Sequence, residues 1–87
     1  MTTFERVRAV VARQLDKSEA AVTPGAHLVD DLEADSLDLV ELTMALEEEF
    51  HVEVSDEKAL ELTTVQQLVD YVEAGATARR TVVEVAR

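Results

Sequence analysis

Apolar side chains return at steps of three and four residues in three separate stretches of this chain, and that spacing commits it to helices. Phe4, Val7, Val11 and Leu15 make the first series, Leu39, Leu42, Leu46 and Phe50 the second, and Val65, Leu68, Val69 and Val72 the third. At about 3.6 residues per turn each series lies along one helix face, whereas a half-buried strand would need strict alternation. Thr2 with Glu5 reads as a capping box for the first helix, and Thr63 with Gln66 as one for the last. The second helix spans about Ser36 to Phe50, free of Gly and Pro, and Ser55-Asp56-Glu57 opens a short extra helix carrying Ala59, Leu60 and Leu62. Gly75 suits a helix stop. Only Thr81 to Val85 alternates, and weakly.

The expected fold is therefore all-α: a small four-helix bundle with three main helices, one short helix and a long first loop. The 87 residues allow one domain, expected over residues 1–75, with residues 76–87 as a mobile tail. The first loop, Asp16 to Asp35, contains Pro24-Gly25. So long a connection in a compact domain is usually functional or pinned by its own side chains. Val22, Leu28 and Leu32 are the expected pins.

Charge narrows the function. Nineteen acids against eight bases give a net −11, which opposes a nucleic-acid partner, since that needs Lys and Arg against phosphates. It equally opposes an anionic membrane face. No apolar run approaches the roughly 18 residues of a membrane span, and the N-terminus lacks the basic-then-apolar layout of a secretory signal. A cytoplasmic monomer without nucleic acid or stable membrane insertion is expected. The absence of cysteine removes disulfides, thiolate metal sites and cysteine nucleophiles. Twelve acids and no Lys or Arg fall between Asp30 and Glu57.

That acidic stretch contains a helix with one apolar stripe too many. Leu39, Leu42, Leu46 and Phe50 can face a core, yet Leu37, Val40 and Met44 gather on nearly the opposite side among Glu41, Glu47 and Glu48. Either a loop covers this second stripe, or it is a docking surface rimmed by charge. At the head of the same helix stands Asp35-Ser36, either of which could serve as N-cap. Asp35 with Asp38 three residues on can cap the helix alone, leaving the Ser36 hydroxyl pointing outward. A helix N-terminus favours a phosphate ester through its free N–H groups and dipole, although Asp35 and Asp38 oppose the added charge.

Asp31-Leu32-Glu33-Ala34-Asp35-Ser36-Leu37-Asp38 resembles the modification motif of acyl carrier proteins, specifically the discrete type II bacterial form. The likeness continues from Val40 to Phe50 and through Leu62 to Val72, covering about residues 3 to 74. It implies a carrier of acyl intermediates and not a catalyst. In that family the serine at the Ser36 position receives 4′-phosphopantetheine from coenzyme A by way of a separate phosphopantetheinyl transferase, and the arm's thiol holds the acyl cargo as a thioester. The resemblance implies that Asp35, Leu37 and Asp38 flank the attachment site. It also implies that Val40, Glu41, Met44, Glu47 and Glu48 meet basic patches on acyl-transferring, condensing, reducing and dehydrating enzymes of fatty-acid, polyketide or specialised lipid synthesis. Leu42, Leu46, Ala59, Leu62 and Val65 are candidates to line a shelter for the acyl chain.

Three positions depart from the family. Glu33 stands where Gly is usual, and would be strained if that position needs φ > 0. His51 replaces a common Asp, and Ser55 a common Pro. The acids Glu47, Glu53 and Asp56 resemble a weak divalent-cation site that His51 disturbs, so no metal is expected. Two competing functions fall short. A hydrolase built from Ser36 with His27 or His51 lacks a Gly-x-Ser-x-Gly elbow, and Asp30 to Asp38 do not follow a calcium-loop spacing. An acidic helical interaction module without a prosthetic group would explain the charge but not Asp35-Ser36-Leu37 at a helix start.

Overall fold

The computed structural model describes residues 2–74. Helix α1 runs over Thr3–Leu15, a single 3-10 turn over Glu19–Ala21, α2 over Ser36–Phe50 and α3 over Asp56–Glu61. A fourth helix, α4, occupies residues 65–74. Among the described residues there is no strand, only an isolated bridge between His27 and Thr64. The helical bundle expected from the apolar spacing is thus the observed fold. The proposed stop at Gly75, the alternating Thr81–Val85 segment and the tail 76–87 lie outside the described residues.

Local chemistry sets the helix ends. The Thr2 hydroxyl accepts the Glu5 N–H at 3.1 Å while the Glu5 carboxylate accepts the Thr2 N–H at 2.7 Å, closing the expected capping box. The Thr2 bonds hold the Glu5 carboxyl below its usual range. Ser55 takes the cap of α3, its hydroxyl accepting the Lys58 N–H, which gives a use to one of the departures from the family pattern. The cap of α4 differs from expectation by one residue. Thr64 and Gln67 exchange the bonds, not Thr63 and Gln66. The reason is tertiary: the N–H groups of Val65 and Gln66 donate to the carbonyls of Ala26 and Pro24 in the first loop. Those two amides thereby become the first of the helix, and Thr64 becomes its cap.

The core collects the three apolar series. Val7, Val11, Leu42, Leu46, Val65 and Leu68 are each at most 1% exposed, and no polar side chain is buried with them among the described residues. Phe4, Leu15, Leu39 and Phe50 pack around this centre half-buried. Arg6 fastens α1 to the end of α2, with its guanidinium 4.5 Å from the Phe50 ring centroid and 3.2 Å from the Glu49 carboxylate. The long loop is pinned as expected by Val22, Leu28 and Leu32, all nearly inaccessible, and also by Ala26 and Ala34. His27 organises the loop's second half. Its Nδ1 accepts the N–H groups of Val29 and Asp30, while its own N–H donates to the Asp31 carboxylate.

Glu33 has φ of 61°, the left-handed region that the sequence made a concern at this position. A side chain with a Cβ is disfavoured there. Its carboxylate is held at 2.8 Å by Lys17, just past the end of α1, and this partner keeps the Glu33 carboxyl below its usual range. Such exposed pairs contribute little.

Leu46→Ala should lower unfolding free energy by about 3 kcal/mol in urea titration, while Met44→Ala two positions away should change it by no more than about 0.5 kcal/mol. Equal losses would contradict the assignment of the two α2 faces. Glu33→Gly should raise the melting temperature, because relief of the left-handed backbone outweighs loss of an exposed ion pair. Lys17→Met should lower it slightly at neutral pH, and by less as pH falls through the depressed Glu33 value, where the pair is already lost. A deficit that widened toward acid would contradict the pairing.

Candidate functional site

The start of α2 combines a satisfied cap with an unused hydroxyl. Asp35 is the N-cap: its carboxylate accepts the Asp38 N–H at 2.8 Å, and the Asp38 carboxylate returns to the Asp35 N–H at 3.1 Å. The two acids beside Ser36 are therefore occupied in a reciprocal capping box. Ser36 is the first residue of α2 and is exposed, and its hydroxyl makes no hydrogen bond among the described residues. Of the two capping arrangements the sequence allowed, the structure has the one that leaves the serine free. The approach to it is fixed by bonds from Leu32 N–H to His27 O, Glu33 N–H to Val29 O and Ala34 N–H to Leu28 O.

Along α2 the second apolar stripe is open to solvent. Leu37 is 64% exposed, Val40 54% and Met44 57%. Among the described residues no loop covers them, so the first of the two readings finds no support there. Glu41 and Glu48 beside the stripe are exposed and meet no Lys or Arg among the described residues. Three of the bases in the first seventeen residues pair with other acids, Arg6 with Glu49 near the end of α2, Arg8 with Glu19 and Lys17 with Glu33. Among the described residues no base cancels the negative field of Glu41 and Glu48 on this face. Sequence reasoning missed two further exposed apolar residues, Val29 in the loop and Leu60 on α3. Leu60 was legible in principle, since a six-residue helix that buries its Ala59–Leu62 side turns the intervening leucine outward.

A cleft of about 490 Å³ opens between α2 and α3. Ser36 stands among its lining residues, with Leu39, Val40, Thr43, Met44, Glu47, Val54, Ala59 and Leu60. Of the five residues expected to line an apolar shelter, only Ala59 does so. Leu42, Leu46, Leu62 and Val65 belong instead to the main core, in one cluster with Val7 and Val11 of α1 and Leu68 of α4. Glu47 also departs from a simple surface role. Half-buried, it accepts the Val54 N–H at 2.8 Å across the α2–α3 connection. That connection begins at His51, which ends α2 in the left-handed conformation at φ 56°.

Among the described residues no group of three or more His, Asp or Glu side chains converges to hold a metal ion, the Glu47–Glu53 region included. Nor is any described helix long and apolar enough to cross a membrane.

A bundle whose second helix begins at an exposed, unpartnered serine, beside an apolar cleft and an acidic face, agrees with what comparison of the sequence finds. A family model described as the phosphopantetheine attachment site matches residues 5–72, most of the chain and nearly all of its described part. The chain therefore belongs to the phosphopantetheine attachment family, a carrier domain whose prosthetic group is 4′-phosphopantetheine.

Proposed function

We propose that this chain carries acyl intermediates as thioesters on a 4′-phosphopantetheine arm attached to Ser36. It delivers them in the cytoplasm to enzymes of fatty-acid, polyketide or specialised lipid synthesis. The observation that carries this reading is the free Ser36 hydroxyl at the first position of α2, beside acids already bound in their own capping box. The residues fit the group. Ser36 supplies the oxygen for a phosphodiester, and the amides at the start of a fifteen-residue helix present N–H groups and the positive dipole end to its phosphate. When bound, the arm supplies the thiol that the cysteine-free chain lacks.

The chain's own residues do the rest. Asp35 and Asp38 fix the helix start, so that the modified side chain projects from a rigid element and not from a mobile loop. The cleft beginning at Ser36 offers Leu39, Val40, Met44, Val54, Ala59 and Leu60 as apolar lining for an acyl chain. The exposed Leu37, Val40 and Met44 give partners a small apolar contact, and the surrounding carboxylates select basic docking patches. Charge of this kind accelerates encounter more than it tightens the complex, which suits a carrier that must leave each enzyme soon after arriving. An acidic interaction module without a prosthetic group would need the same face but gives Ser36 nothing to do.

Incubation with coenzyme A, Mg²⁺ and a phosphopantetheinyl transferase should add one phosphopantetheine to the intact mass, and Ser36→Ala should abolish the gain. An unmodified wild-type chain, under conditions that fully modify another carrier domain, would overturn the reading.

A further inference from the structure

The turn that leads into Ser36 is closed by an imidazole. His27 stands at its head, and the Asp31 and Leu32 N–H groups donate to the His27 carbonyl at 2.9 and 3.1 Å. Its side chain acts as a cap. Nδ1 accepts the Asp30 N–H at 3.1 Å and the Val29 N–H at 3.3 Å, while the His27 N–H donates to the Asp31 carboxylate at 2.7 Å. Such caps are ordinarily an oxygen of Ser, Thr, Asp or Asn. An imidazole in that role loses its acceptor by taking up one proton. The bonds run on past the turn, from Glu33 N–H to Val29 O and from Ala34 N–H to Leu28 O, and Asp35 and Ser36 follow at once. His27 is thereby tied to the approach to the free serine.

Backbone amides can donate to Nδ1 only while that nitrogen carries no proton, so the neutral ring holds its proton on Nε2. An imidazolium donates at both nitrogens and accepts at neither. The charges near the ring offer the protonated form another partner. The Asp30 carboxylate lies 3.8 Å from Nδ1, whereas the Asp31 carboxylate is engaged by the His27 main chain. The segment paired across the turn, Thr63 to Val65, is uncharged, and the next charges, Lys17 and Glu33, hold each other. The ring is half-buried, within reach of solvent. We propose that His27 is a proton-responsive cap: neutral, it holds the Val29 and Asp30 amides and keeps the turn closed. With a solvent proton on Nδ1 it releases both amides, pairs with Asp30 and loosens the approach to Ser36. Only the statement that Ser36 is then presented less well for modification rests on the carrier reading. The response of the turn is a property of the unmodified chain.

NMR on the full chain without its prosthetic group tests this cap at about pH 7.5 and about pH 5, the two ends of the range in which histidine ordinarily changes charge. At the higher pH the imidazole nitrogen shifts of His27 should report a proton on Nε2. Amide exchange, corrected for the intrinsic rate at each pH, should show Val29, Asp30 and Ala34 protected there. At the lower pH their protection should fall about tenfold, as loss of a hydrogen bond requires, with the Leu42 and Leu46 amides unchanged as proof of folding. His27→Asn supplies an oxygen that accepts at either pH, so all three amides should stay protected. A response caused by Asp30, Asp31 or His51 would persist in that variant. His27→Ala should leave Val29 and Asp30 poorly protected throughout. A proton on Nδ1 at the higher pH would overturn the proposal. So would unchanged protection in acid, an equal loss in His27→Asn, full protection in His27→Ala, or a loss that spares Ala34. None of these outcomes depends on whether Ser36 accepts phosphopantetheine, so the cap and the carrier reading fail separately.

Discussion

The reciprocal hydrogen bonds between Asp35 and Asp38 are the constraint on which the rest of this molecule depends. They satisfy the amide at the third position of α2 and close the turn that precedes it. They thereby fix where the helix begins and make Ser36 its first residue. Had Ser36 been the cap, its hydroxyl would be bonded inward and the helix would start one residue later. Every side chain of α2 would still follow a 3.6-residue period, but the serine would have no free oxygen. Asp35 also offers its carbonyl to the Leu39 N–H, so the helix starts without help from Ser36. A helix cap is typically worth about 1 kcal/mol. Here its consequence is chiefly geometric.

Two opposite faces follow from that starting point. Leu42 and Leu46 turn toward α1 and α4 and complete the core, while Leu37, Val40 and Met44 remain outside. The net charge sharpens the distinction. Arg6 ties α1 to Glu49 near the end of α2, Arg8 and Lys17 pair with Glu19 and Glu33 of the first loop, and among the described residues the exposed Glu41 and Glu48 of α2 have no basic partner. Repulsion among these acids weakens the compact state, so the same arrangement that favours basic partners lowers stability. The core, the pinned loop and the Arg6–Phe50 contact offset that repulsion.

Much of this was legible in the residues. Period and caps gave the helices, Asp38 three residues after Asp35 gave the free serine, and the surplus stripe on α2 gave the exposed apolar face. The left-handed Glu33 was anticipated from its place where a glycine is usual. What could not be read depends on contacts between distant segments. The cap of α4 moved from Thr63 to Thr64 because loop carbonyls at Pro24 and Ala26 claim particular amides. Lys17 meets Glu33 only because the loop folds back to the end of α1. The cleft is lined by Leu39 and Val54 and not by Leu46 and Val65, because α3 covers the flank of α2 and leaves the centre of the bundle to α4. Glu47, read as one more surface acid, is braced against Val54. Spacing along a helix shows which way a residue points, but not what arrives to meet it.

The central claim is that the cap of α2 selects one hydroxyl among several for modification. The chain has three serines, Ser18, Ser36 and Ser55, and both Ser18 and Ser55 also stand at helix or turn starts. Fragmentation mass spectrometry of the modified wild-type chain decides among them directly. The account predicts phosphopantetheine on the peptide containing Ser36 alone. Its appearance on Ser18 or Ser55, or its distribution over more than one of the three, would contradict the account.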